Sequence, residues 1–306
     1  MKNLLPSNGF VSVIAHWFSA NILALGREMR LSYLPPLMVY VAAGISGLTG
    51  IVGTFYVKEK LGLSAEFLAM LGFWMMLPWA LKMPLGHLVD LVWRWKGLLV
   101  YLGASLIMVS LLIMIGLLGH TEAMAAVASV ETWYVLSALL APIGYVLQDV
   151  VADAMTVEAV PRVDENGAKL DPEKRKLMHV TMQTLGRVAI IGGGVLVSVA
   201  NVFLLRDAGV LPEAEKEAVY LLVYELALII PVVSIFGVVF ASWLRRREMK
   251  HLLAQGHSRQ EAGMLLGIHT EPPSINWWIL GGGLIFTLLS LGVGLSRVPG
   301  GEEIVF

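Results

Sequence analysis

Seven stretches of this chain, at about residues 35–57, 64–90, 97–119, 133–157, 178–204, 219–243 and 276–296, each hold roughly 20 or more mostly apolar residues. That is the length an α-helix needs to cross the hydrocarbon layer of a bilayer. Lipid offers backbone groups no water to bond, so segments of this length can cross only as helices that satisfy their own N–H and C=O groups. With 57% of its residues hydrophobic and 15% charged, the sequence lies far outside the composition of soluble domains. The expected fold class is an all-α polytopic membrane protein. A net charge of -1 leaves no basic footprint for nucleic acid. The absence of cysteine excludes disulfides, thiolate metal sites and cysteine nucleophiles. His87, His120, His251, His257 and His269 show no metal-ligand spacing, so neither a metal nor a cofactor is expected.

Lys and Arg in the connections set the orientation. One side collects Lys2, Arg27, Arg30, Arg94, Lys96, Arg162, Lys169, Lys174, Arg175, Lys176, Arg245, Arg246, Arg247, Lys250 and Arg259. The other holds Lys58, Lys60, Arg206, Lys216 and Arg297 around the acidic loop "RDAGVLPEAEKEA". The bias predicts a cytoplasmic N-terminus; the expected location is the inner membrane of a bacterium. Residues 9–26, which carry His16 and Asn21, read as an interfacial amphipathic helix. "MKNLLPSNGF" is not a signal peptide, because Pro6 and Asn8 interrupt its apolar run.

Lys82, Asp149, Asp153 and Arg187 remain inside the apolar stretches, all expected in the cytoplasmic half of the membrane. Unpaired, four such charges would cost on the order of 10 kcal/mol, so pairing is expected. Tyr145, Asp149, Asp153 and Thr156 follow i, i+4, i+8, i+11 and share one helical face, next to the polar Gln148. His179, Gln183 and Arg187 repeat that spacing in the fifth stretch. Two carboxylates one turn apart repel. Either Lys82 and Arg187 keep both ionised, or one holds a proton, and Asp149 is the expected carrier because it lies deeper. The first outcome is a charge network tying helices together; the second is a proton-coupling site.

Gly44, Gly47, Gly50 and Gly53 recur every third residue and suit close helix packing. The "GGG" runs at 192–194 and 281–283 read as hinges or helix breaks of the kind transporters use. An intramembrane aspartyl protease is disfavoured, since its two carboxylates must face each other across a site and here they lie on one helix. No enzyme activity is expected.

"LPWALKMPLGHLVDLVWRWKG" places a glycine, an aspartate four residues on and then basic residues between the second and third stretches. That pattern resembles the signature loop of the major facilitator superfamily, with Gly86, Asp90, Arg94 and Lys96 as a cytoplasmic gate loop. Together with "YVKEKLGLSAEFLAMLGFWMMLPWALK" and "LQDVVADAMTVE", it resembles the folate-biopterin transporter family and its relatives, the muropeptide permeases and the permease-like assembly factors of light-harvesting complexes.

The resemblance covers roughly residues 35–245. It implies a twelve-helix fold, alternating access and proton-linked transport of a small, anionic organic solute of the folate or pterin class. The alternatives are a non-transporting assembly factor for a pigment–protein complex and a muropeptide-type permease. The implied organisation is a cytoplasmic N-terminal segment (1–34), a six-helix bundle (35–243), a cytoplasmic inter-domain loop (244–275) and the first helix of a second bundle (276–306). The rest of that second bundle would be truncated from this sequence or supplied elsewhere. The implied partners are the bilayer, the solute and protons.

Overall fold

The computed structural model describes residue 26 and residues 28–56, 63–162, 168–266 and 274–295. The segment 9–26 expected at the interface lies, but for its last residue, outside them. Each of the seven apolar stretches forms helix, and six of the resulting units are long and apolar enough to cross a membrane. The chain is therefore an all-α, multi-pass membrane protein.

Span one joins α1 (Leu34–Gly44) and α2 (Gly50–Tyr56) through a 3-10 turn at Ile45–Thr49. Span two joins α3 (Ala65–Ala80) and α4 (Lys82–Leu91) through a turn at Leu81. Pro84 explains that break: it has no N–H for the Ala80 carbonyl, and its ring crowds the preceding turn. Lys82 is thus the first residue after a discontinuity. Spans three, four and five are single helices, α5 (Lys96–Gly119), α7 (Val130–Ala159) and α8 (Pro172–Leu205), with the short α6 (Thr121–Ala125) before α7. Span six joins α9 (Glu213–Ala227) to α10 (Ile229–Ala254), where Pro231 has no N–H for the Ala227 carbonyl. Then follow α11 (Arg259–Leu265) and the apolar α12 (Trp277–Leu295).

Several sequence expectations are corrected here. The "GGG" at 192–194 is no hinge, because α8 runs through it unbroken. Gly193 is instead a contact: a Cβ there would meet the Gly44 backbone at 2.8 Å, and one at Gly44 would come within 3.0 Å of Gly193. The "GGG" at 281–283 is likewise helical, with Gly283 set against the Pro84 ring. Span five begins ahead of its apolar stretch, since α8 starts at Pro172. Asp171 caps it by accepting from the Lys174 N–H at 3.2 Å. Much of 244–275 is helical too. α10 continues to Ala254 and ends in a turn through Gly256, whose φ of 93° favours glycine. Ser258 and Glu261 then form a reciprocal capping box that opens α11.

Span four is central. α7 packs on α5, α1, α3 and α4, while α1 also packs on α8 and α10, and α5 on α9 and α10. The α5/α7 crossing is the tightest. A Cβ at Gly103 or Gly144 would sit 2.6 Å from the other glycine's carbonyl oxygen. Two turns toward the other end, Ser110 Oγ donates to the Ser137 carbonyl at 2.8 Å and Ser137 Oγ to the Ser110 carbonyl at 2.9 Å. Spans two and five bury far less of their apolar surface than spans three, four and six.

Candidate functional site

Asp149 and Asp153 lie one turn apart on α7, so both reach the side chain that begins α4. Lys82 Nζ lies 2.5 Å from Asp149 Oδ2 and 3.0 Å from Asp153 Oδ2. Tyr40 of α1 donates its hydroxyl to Asp153 Oδ1 at 2.5 Å. The tyrosine ring lies against Gly186 of α8, where a Cβ would come within 2.7 Å of it. A glycine on span five therefore sets the position of a phenol on span one that holds a carboxylate on span four. The cluster is open on one side: the side chains of Lys82 and Asp153 are 40% and 46% exposed, that of Asp149 only 10%. Lys82, Gly86, His87, Asp90 and Asp153 line one groove, which Ile279 of α12 flanks. Two carboxylates share one ammonium in contact here, and the Arg187 guanidinium acts on Asp149 from a distance. Lys82 keeps an ionised partner if either one of the two carboxylates is neutralised.

The other expected site residues are distributed differently. Arg187 does not join the ion pairs; it is exposed on α8 with His179, Gln183, Lys176 and Thr184 along an open groove. Gln183 is linked to span four, its Nε2 donating to Thr156 Oγ1 at 3.3 Å. Gln148 is turned away from the carboxylates. It is buried against α5 and α10, accepting from Ser234 Oγ at 2.9 Å and donating to the Val100 carbonyl at 3.5 Å. Tyr145 packs against the apolar interior that includes Ile107 and Leu111.

The gate-loop expectation also needs correction. Gly86 and Asp90 are on α4 rather than in a loop, and a Cβ at Gly86 would make only ordinary contact with Val150. The connection itself is a 3-10 turn at Trp93–Trp95, and the Arg94 side chain lies outside the described part of the structure. Lys96 is not a solvated loop charge. It is 8% exposed and ion-paired to Glu158, with Nζ 3.4 Å from the Trp93 ring centroid. Glu158 also receives Arg245 of α10. This second cluster, Lys96–Glu158–Arg245, ties the ends of spans three, four and six together.

Tyr40, Gly186, Glu158 and Arg245 were missed in the sequence. Glu158 lies nine residues, about two and a half turns, beyond Asp149, so helical periodicity alone puts it on the opposite face of α7. Among the described residues no group of three or more His, Asp or Glu side chains could hold a metal. No family model matches the chain, and no curated protein or solved structure gives a significant match. Its own residues define it as an all-α multi-pass membrane protein carrying two ionic clusters on opposite faces of its central helix.

Proposed function

We propose that the chain works in a secondary active transporter of a small organic solute, by alternating access with proton coupling at Asp149 and Asp153. The observation that carries this reading is the Lys82–Asp149–Asp153 cluster: two carboxylates on one ammonium at membrane depth, half open, beside a break in span two. Intramembrane carboxylates are expensive and are retained mainly where ions or protons pass. Discontinuous helices bring polar backbone to such points. The major-facilitator arrangement of the six spans, the folate or pterin class of the solute, the inner-membrane location and the cytoplasmic N-terminus rest on the resemblance and the Lys/Arg bias. Under this reading Lys82 anchors whichever aspartate is ionised, and Tyr40 holds Asp153 in place.

The test uses the full chain in liposomes with an imposed pH gradient and radiolabelled folate as probe. Uptake should follow the gradient in the wild type. Asp149→Asn should abolish accumulation yet retain exchange. Gradient-independent uptake, or uptake equal in Asp149→Asn, contradicts coupling.

A further inference from the structure

On α8, Lys176, His179, Gln183 and Arg187 follow i, i+3, i+7 and i+11, one face rising about 16 Å, with Val180 and Thr184 beside them in an open groove. The stripe holds basic and amide donors and no carboxylate. The acids nearest to it are already engaged. Asp149 is held by Lys82, and Asp153 by Lys82 and Tyr40. Arg187 itself makes no ion pair or hydrogen bond among the described residues, although it is exposed between Gly186 and the apolar, exposed Val188 and Ile191. A guanidinium at that depth with no anion in contact is costly, and Asp149 acts on it only from a distance. Lys176, about three turns away along the same face, adds to the local positive potential rather than relieves it. Gln183 spends one amide hydrogen on Thr156, which leaves its second N–H for a ligand.

We propose that this stripe is an oxyanion-binding site, taking the phosphate or carboxylate group of a lipid headgroup or of a soluble solute. Arg187 supplies the two-pronged contact such groups favour, Gln183 and His179 add donors, and Lys176 draws the anion toward the groove. The inference does not depend on transport. Lys82 has no share in it, because its charge is spent on span four.

Two arms identify the source of the anion. In the first, the purified full chain is delipidated, offered phosphatidylglycerol or phosphatidylcholine of the same acyl chains, and examined for retained lipid by native mass spectrometry. In the second, thermal unfolding is followed in inorganic phosphate and in chloride at matched ionic strength. Phosphatidylglycerol retained over phosphatidylcholine assigns a lipid site. A higher Tm in phosphate than in chloride assigns a soluble-anion site. In either case Arg187→Gln should weaken binding about tenfold, the effect of one charge-assisted pair. Arg187→Lys, which keeps the charge, should weaken it less and guards against a folding defect. Arg247→Gln, off the stripe, should leave it unchanged. The proposal is overturned if neither anion is distinguished from its control, or if Arg247→Gln costs as much as Arg187→Gln.

Discussion

Helix α7 carries two ionic clusters that differ in charge balance and in access to water. At Lys96–Glu158–Arg245 one acid serves two bases, and Lys96 is buried between an indole and a carboxylate. At Lys82–Asp149–Asp153 two acids share one base whose side chain is 40% exposed. The first has nothing to spare: remove Glu158 and a buried ammonium loses its partner. The second has one carboxylate in reserve, so it can lose a negative charge and still hold Lys82. Redundancy separates a clamp from a site that can titrate.

The largest expected effect is therefore at the closed cluster. Glu158→Gln should lower stability by about 3–5 kcal/mol, the cost of stranding a buried charge, read as a fall in Tm of the detergent-solubilised protein. Arg245→Gln should cost far less, about 1 kcal/mol or below, because that side chain is 41% exposed and solvent screens the pair. Equal effects would erase the distinction between buried clamp and exposed partner.

Glycines sharpen the comparison at the open cluster. Gly186→Ala should push the Tyr40 ring off its seat and cost about 1–3 kcal/mol. The same variant should loosen Tyr40 from Asp153, which ultraviolet difference spectra of the phenol would register. Gly194→Ala, on the same helix but with open space around it, should stay within about 0.5 kcal/mol of wild type. A neutral Gly186→Ala would show that Tyr40 is not positioned through span five.

The smallest effect lies outside the spans. The Glu261 carboxyl is held below its ordinary value by hydrogen bonds from the Ser258 backbone and side chain. Its contribution to the α11 cap is present at neutral pH and down to the ordinary carboxylate range. It is lost as pH falls through the depressed value. Amide exchange at residues 262–265 should therefore quicken, relative to the intrinsic rate, only in that acid range. Glu261→Gln should remove the pH dependence.

The spans were legible because length and apolarity alone decide them: the runs at 97–119 and 133–157 lie within α5 and α7. The pairing of Lys82 with the aspartates was legible from charge cost. The faces of the helices were not. In a span such as α5, apolar nearly all round, nothing in the residue pattern singles out Gly103 as the point where Gly144 approaches. Tyr40 looked like any aromatic in an apolar helix, since only the fold brings it across to Asp153. Lys96 was misjudged because a basic residue near a helix end is usually solvated, and the indole and carboxylate that bury it come from Trp93 and from span four. Extended helical ends at Pro172 and Ala254 were hidden by their charge, although Asp171 followed by proline is a legible start.

The decisive contrast is that the open cluster is redundant in charge and the closed one is not. Its most direct test is the Tm of Asp149→Asn, Asp153→Asn and the double variant, measured beside Glu158→Gln. Each single aspartate variant should melt within about 1 kcal/mol of wild type, because Lys82 keeps an ionised partner, while the double variant should fall toward Glu158→Gln. A single aspartate variant that falls as far as Glu158→Gln, and recovers when Lys82→Met is added, would show that Lys82 and the aspartates are a structural clamp and contradict the account.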